Sequence, residues 1–489
     1  MPEQTLEQQY ADILRGGSDN SPLLTDGYKF SMAQAGFPLR HEYFYLHFRR
    51  GGAQRIPFDF KAVVEALRPR LPDSREQGFL LANGYGLTPA MEAALLGELT
   101  VMYQPKGTWA NEHEPVLTVS GPSFLVSWLE PLLIAFNFPM QIATAMSEGV
   151  TEFECNCPDE AQIIGLVGQA MGIDGKARYN EVLFRQNINE QVANLRDVLG
   201  SGIDRAFEVG TRAMTCLAQH RIVLEELKAA GITRTANVLL AYELYMVPVG
   251  TTGHEHQERH GDDIDGFRAV RDLRPEPPSY LFDTYDPMKR GIPAAIEAML
   301  ENRVRYCSVR FDSGDQEAQL LAFARAQRKH GLNIFYLFMD GYDAERVSKM
   351  EQYADNLGIQ MDDRHYGMGS YFVSKPALTP YTRDRLAMVY KLCQSGGPGF
   401  DGKHGARNVK KYSGSPGKES IAGRPIVIIA HDGTRYIAQQ GEGLRPEGGY
   451  CRNETKLPKP TEPSIMSPET EAISEACRVR DLGWDTDPF

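Results

Sequence analysis

No stretch of the 489 residues approaches the roughly 18 consecutive apolar positions that a membrane-crossing helix needs. Surplus positive charge is also absent. Asp and Glu number 64 against 52 Lys and Arg, a net charge of −12. That argues against a nucleic-acid partner, which requires a concentrated basic face. It leaves room for an anionic small molecule held by a local group of cations. There is no disulfide framework either. The cysteines at 155, 157, 216, 307, 393, 451 and 477 are odd in number and scattered, the pattern of reduced thiols in the cytosol. Cys155 and Cys157 have no second pair at zinc-ribbon spacing. The opening MPEQTLEQQYADILRGG is polar and lacks a signal-peptide core, so a cytoplasmic location is expected. A disordered composition is missing too: 42% hydrophobic and 24% charged residues are an ordinary globular balance.

The length allows two or three domains. Residues 1–25 read as a polar arm. HEYFYLHF at 41–48 is β-prone, FDFKAVVEALRPRL reads as a helix, PVLTVSGP as a strand, and the apolar 123–145 as a buried helix. An N-terminal α+β domain is therefore expected over 1–145, and an α/β barrel over 146–400. A lid loop and C-terminal segment, 401–489, would pack back on the N-terminal domain.

The middle of the chain carries the clearest pattern. SYLFDTYD, YCSVRFDSGD and IFYLFMDGYD are apolar runs, each ending in two aspartates: Asp283 and Asp286, Asp312 and Asp315, Asp340 and Asp343. The first members lie 29 and then 28 residues apart, with helix-like stretches between. Strand, acidic turn and helix at a constant period mark βα units on a parallel sheet, whose strand ends face the active site. Asp315 and Asp343 suit helix N-caps, whereas Asp283 and Asp312, nearer the strand ends, suit function. A fourth unit, HYGMGSYF, has Gly367, Gly369 and Ser370 in the acidic register, which suits a phosphate cradle, and Gly341 joins that group. Residues 395–425 are rich in Gly, Ser, Lys and Arg. They read equally as a solvated loop or as a lid carrying Lys410, Lys411 and Lys418 to phosphate oxygens.

Upstream, YMVPVG runs into a Gly-Thr turn and His254, placed to act as a general base, metal ligand or nucleophile. His256 and His260 are four apart, a metal-binding spacing on a helix, although structural histidines are commoner. Those histidines with the strand-end aspartates would make a metal-dependent barrel hydrolase, a competing reading. AFEVGTRAM offers Gly210 and Arg212, and LLTDGYKF offers Asp26 and Tyr28.

In order along the chain, LLTDGYKFSMAQ, YLHFRR, EPVLTVSGP, EVGTR, TANVL, VGTTGHE, DTYD, RFDSGD, YGMGS and VYKL resemble the motifs of the type II phosphoribosyltransferases of the nicotinate and nicotinamide branch. The resemblance implies an irregular (β/α) barrel with an N-terminal α+β domain. It implies transfer of ribose 5-phosphate from phosphoribosyl pyrophosphate (PRPP) to nicotinate, with Mg2+, with ATP as co-substrate, and in a homodimer whose subunits share active sites. By the same resemblance Tyr28 would stack on the pyridine ring from the neighbouring chain. His254 would be phosphorylated by ATP, and Thr251 would contact the ring acid. Arg310 would bind ring or ribose, Asp312 ribose hydroxyls or magnesium, with Asp283 assisting. Arg212 would meet the ring, Ser370 the 5′-phosphate, and Arg49 or Arg50 pyrophosphate. Two departures stand out: Val209 where the family has a phenylalanine, and RAMTCLAQ in place of the usual second arginine region. Ala236 replaces the aspartate of nicotinamide-preferring relatives, which favours nicotinate. Nicotinamide, another pyridine acid such as quinolinate, or a binding protein that keeps the fold remain alternatives.

Overall fold

The computed structural model describes residues 4–271, 273, 278–301, 306–396, 406–412, 419–430, 433–441 and 459–482. Seven strands make one parallel sheet: β1 (Ala206–Glu208), β2 (Arg234–Thr235), β3 (Val247–Pro248), β4 (Ser279–Leu281), β5 (Cys307–Phe311), β6 (Ile334–Phe338) and β7 (Arg364–Met368). Their order is β3-β2-β1-β7-β6-β5-β4, every pairing parallel. In β5, β6 and β7 four of five residues are buried, as expected of strands covered on both faces. The helices after β5 and β6, Gln316–His330 and Ala344–Asn356, start where their caps allow. Asp315 accepts from the Ala318 amide at 3.0 Å and Asp343 from the Arg346 amide at 2.9 Å. The second aspartate of these two doublets is therefore spent on a helix end, and the first stays at the strand end.

The sheet curls into a half-barrel, with β3 and β4 as edges. Helices His254–His260 and Asp263–Arg271 run between those edges. The curl is tight enough that His254, beyond β3, bonds to Thr284, beyond β4, at 3.1 Å.

A second sheet is antiparallel, in the order Arg407–Asn408, Val389–Ser395, His41–His47, Leu117–Pro122, Thr100–Tyr103. The chain thus returns from the barrel to pair with its own N-terminal part. Two local expectations change. The polar arm contains the helix Leu6–Leu14, held by a capping box at Thr5 and by burial of Tyr10, Ala11 and Leu14, with Tyr10 against Phe58 at 5.0 Å. Its apolar residues are too few to read by periodicity but sufficient to anchor one turn. The segment 123–145 is three helices, Ser123–Trp128, Glu130–Ile134 and Asn137–Ser147, and the first break falls at Pro131, which cannot continue a helix and restarts one. That break turns Glu130 into the cavity described below.

Strands Pro425–Ile429, Arg435–Gln439 and Ile465–Met466 and helix Pro468–Leu482 complete the chain. Arg435 donates twice to Glu114, at 2.5 and 2.6 Å, and joins this part to the N-terminal sheet. Lys418 lies outside the described residues. None of the described helices is long and apolar enough to cross a membrane.

Candidate active site

The C-terminal ends of the barrel strands and one side of the antiparallel sheet enclose a cavity of about 680 Å³, well within the range of small-ligand sites. At one end stands His254, the first residue of its helix. Its Nε2 is 2.7 Å from Lys411 Nζ and 3.2 Å from Asp312 Oδ2, and its Nδ1 is 3.1 Å from Thr284 Oγ1 and 3.9 Å from Asp283 Oδ1. Among the described residues, His254, Asp283 and Asp312 form the one group with metal-ligand spacing. Burial and the nearby Lys411 ammonium push the His254 ring well below the usual histidine range, so it is neutral at ordinary pH.

The two carboxyls differ. Burial would raise Asp312, but the Arg310 and Lys411 charges oppose it, and the group is held well below the usual range. Arg310 donates to Asp312 Oδ1 at 2.8 Å. Asp283 is almost wholly buried, and burial with the adjacent Asp312 charge pushes it up to about 6. Ser313 donates to its Oδ2, while its Oδ1 has no hydrogen-bond partner. Arg310 Nη1 donates to Thr251 Oγ1 at 3.0 Å and to the Thr252 carbonyl at 2.8 Å. Thr251 and Asp283 therefore stand one step behind the cavity wall, which Arg310 and Asp312 line.

The opposite end is organised by Glu130. Tyr28 donates to it at 2.7 Å, Lys29 pairs with it at 2.6 Å, and Arg212 approaches to 3.6 Å. Burial would raise this carboxyl; Lys29 and Arg212 win and hold it at about 2. The Arg212 guanidinium lies 6.0 Å from the centre of the Tyr28 ring. A flat ring bearing negative charge would find there an aromatic face and a cation. Tyr28 lines this chain's own cavity, on the same side as Glu130 and Arg212.

Along a third wall lie Gly341, Gly367, Gly369 and Ser370. Gly369 and Gly210 touch where β7 meets β1: a methyl on Gly210 would come within 2.5 Å of Val373 and 3.1 Å of the Gly369 carbonyl. Only glycine permits this approach, and it leaves the backbone of both turns open to the cavity. Ser370 Oγ donates to Asp384 at 2.8 Å, and Arg50 Nε donates to the Asp384 carbonyl at 3.0 Å. Arg49, Arg50 and Arg383 line the same side. Burial, and after it the Arg383 charge, lower Arg49 to about 10.

The residues that the sequence singles out as His254, Asp312, Arg310, Arg212, Tyr28 and Ser370 thus share one cavity. Comparison with known proteins points the same way. Searched against family models, the chain matches none. It is 26% identical to the nicotinate phosphoribosyltransferase of Bos taurus, over 88% of this chain and 81% of that protein. The Homo sapiens protein of the same name gives the same identity and coverage. The solved nicotinate phosphoribosyltransferase of Porphyromonas gingivalis superimposes with a TM-score of 0.59 at 19% identity, covering 82% of this chain and 96% of that one. The chain is a homologue of the nicotinate phosphoribosyltransferases.

Several wall residues of this homologue escape sequence reasoning. Glu130 needs the helix break at Pro131, and Arg383 sits in a short helix, Arg383–Leu386, without a motif. Lys391 lies within VYKL, where nothing local gives it a role; it faces the cavity because Val389–Ser395 pairs beside His41–His47, with Lys391 opposite Tyr45. Of the lid lysines, Lys411 reaches the cavity, whereas Lys410 pairs with Glu419 at 2.7 Å. His256 is buried on the Gly266 carbonyl at 2.8 Å and packs on His260 at 4.7 Å, apart from the His254 cluster. The three-histidine metal site of the hydrolase reading therefore does not form among the described residues.

Behind Asp283 lies Asp263, fully buried, with neither carboxylate oxygen hydrogen-bonded. Burial pushes it up to about 8 despite Arg290. An unfolded aspartate titrates near 4, so between about pH 4 and 8 only the folded chain holds this proton. Stability then falls as pH rises, by about 1.4 kcal/mol per pH unit for this one group. Asp263→Asn removes the cost. Its thermal midpoint relative to the parent chain should rise progressively from pH 5 to pH 8, and an equal difference at both would show that Asp263 ionises normally.

Proposed function

We propose that the chain is a nicotinate phosphoribosyltransferase, making nicotinate mononucleotide and pyrophosphate from nicotinate and PRPP, coupled to ATP through phosphorylation of His254. The observation that carries the reading is one cavity with a ring-binding end, Tyr28 and Arg212, a glycine and Ser370 wall, and a carboxylate end, Asp312 with Asp283 behind it. The names of the homologues support it. Breaking the C1′–O bond of PRPP builds positive charge on the ribose. Asp312, ionised across the physiological range, stabilises that charge and orients the ribose hydroxyls. The glycine turns and Ser370 hold the 5′-phosphate, and Arg49, Arg50 and Arg383 attract the departing pyrophosphate. Holding the pyridine nitrogen behind C1′ supplies much of the rate.

Magnesium fits the donor set. Asp283 and Asp312 bring carboxylate oxygens close together, and hard cations take oxygen ligands. Asp283 and Asp312 would hold the ion, which when bound neutralises polyphosphate charge. Nicotinate is favoured over nicotinamide because Arg212 and Arg310 line the cavity and the residue at 236 is alanine. A homodimer is part of the proposal; a light-scattering mass of one chain would remove it.

The test is a product assay with PRPP, Mg2+ and each of nicotinate, nicotinamide and quinolinate, with and without ATP. Pyrophosphate release with nicotinate, increased by ATP, is expected. Product with nicotinamide alone would transfer the reading to the amide-using branch, and no product from any ring would end it.

A further inference from the structure

His254 Nε2 has two neighbours that one proton arrangement cannot serve equally. Lys411 Nζ is at 2.7 Å and Asp312 Oδ2 at 3.2 Å. An ammonium only donates and a carboxylate only accepts, and a neutral imidazole has one N–H and one lone pair. With the hydrogen on Nε2, the ring N–H and the Lys411 ammonium would be two donors face to face at the shorter distance. With the hydrogen on Nδ1, Nε2 accepts from Lys411. The Nδ1–H then meets Thr284 Oγ1 at 3.1 Å and Asp283 Oδ1 at 3.9 Å, the latter a buried acceptor without a hydrogen bond. The closest contact and the waiting acceptors select the second arrangement.

Lys411 is held there by the fold. Its residue is 6% exposed, its amide donates to Ser420 Oγ at 2.8 Å, and its carbonyl accepts from the Ser420 amide at 3.3 Å. The next residue, Tyr412, donates to Asp481 Oδ2 at 3.2 Å. Asp481 lies near the end of the C-terminal helix and also accepts from Arg407 at 3.3 Å, on the strand where the segment begins. Its carbonyl accepts from Arg290, which follows the Asp283 turn. The C-terminal helix therefore fastens both segments that converge on His254.

We propose that Lys411 is a catalytic residue whose ammonium fixes the Nδ1–H tautomer of His254, covers Nε2 in the empty enzyme, and moves onto the terminal phosphate of ATP as it arrives, uncovering Nε2 for attack. The proposal rests on the reading that His254 accepts a phosphoryl group. In that step the Nε2–P bond forms and the bond from the terminal phosphorus to its bridging oxygen breaks. ADP leaves with the electron pair, Lys411 keeps its proton, and the now cationic ring keeps its Nδ1–H toward Asp283. The same side chain that blocks the nucleophile becomes the counter-charge of the group transferred, so exposure of Nε2 is tied to the presence of phosphate.

Two measurements test it. The nitrogen-15 spectrum of histidine-labelled wild-type protein without nucleotide should show His254 with Nδ1 protonated and Nε2 a hydrogen-bond acceptor. In Lys411→Met the hydrogen should shift toward Nε2, where Asp312 accepts it. The rate at which labelled ATP deposits an acid-labile phosphoryl group should fall about 10²-fold in Lys411→Met, the scale for losing one preorganised charge-stabilising donor, and recover in part in Lys411→Arg. Wild-type His254 protonated on Nε2 overturns the proposal, and needs no variant to be seen. Phosphorylation of Lys411→Met at the wild-type rate also overturns it while leaving the phosphohistidine reading intact. A wild-type protein that takes no phosphoryl group from ATP ends that reading and this proposal with it.

Discussion

Asp312→Asn should lower kcat for pyrophosphate release from PRPP by about 10²–10³-fold, the scale on which a group aimed at developing charge acts. The substitution keeps the shape and leaves an oxygen for Arg310, which donates to Oδ1 at 2.8 Å. What it removes is the negative charge that Arg310 and Lys411 favour against burial. With that charge gone the ribosyl cation loses its nearest stabiliser, and the loss falls on the transition state more than on bound PRPP. KM should therefore move far less than kcat. The Asp312 side chain is 22% exposed and the amide keeps its shape, so the folded chain should survive the substitution. Steady-state kinetics beside a thermal melt decide it: a kcat within fivefold of wild type, with the fold intact, would mean that the carboxylate serves structure alone.

The carboxylate end of the cavity was legible in the sequence because it follows from local rules. Apolar runs ending in aspartate every 28 or 29 residues can close only as βα units, and the two positions of each doublet then have different geometry. Asp315 and Asp343 cap their helices, leaving Asp283 and Asp312 at strand ends. Residues placed by long-range pairing were hidden. Lys391 enters the cavity because its strand returns to lie against His41–His47, and no local signal marks that partner. Glu130 depends on a helix restarting at Pro131 inside an apolar stretch that reads as continuous. Lys411 was visible as one of three lysines in a glycine-rich segment, but its selection over Lys410 is made by the tie from Tyr412 to Asp481, far along the chain. Val209 shows the converse. It lines the cavity where the family resemblance expects an aromatic ring, and the aromatic face offered near Arg212 belongs to Tyr28.

His254→Ala should reduce the rate measured with ATP to the rate measured without it. The imidazole is the group in the cavity positioned to take a phosphoryl group reversibly: it is neutral, it stands between Lys411 and Asp283, and its Nδ1 is bonded in a way that fixes the ring. The ATP-free reaction draws on Asp312, Arg212 and the glycine wall, none of which needs the ring to hold its place, so nicotinate-dependent pyrophosphate release should persist. The pH dependence gives an independent reading. A histidine in water loses its lone pair to a proton near pH 6.5. Burial and Lys411 drive His254 well below that value, so the nucleophile stays available on the acid side. The ATP-stimulated increment of the wild type should accordingly remain flat through pH 6.5, whereas an ordinary histidine would halve it there. A variant that keeps the full ATP effect would assign the coupling to a different group, and an increment that falls away at pH 6.5 would mean that the ring is solvated during turnover.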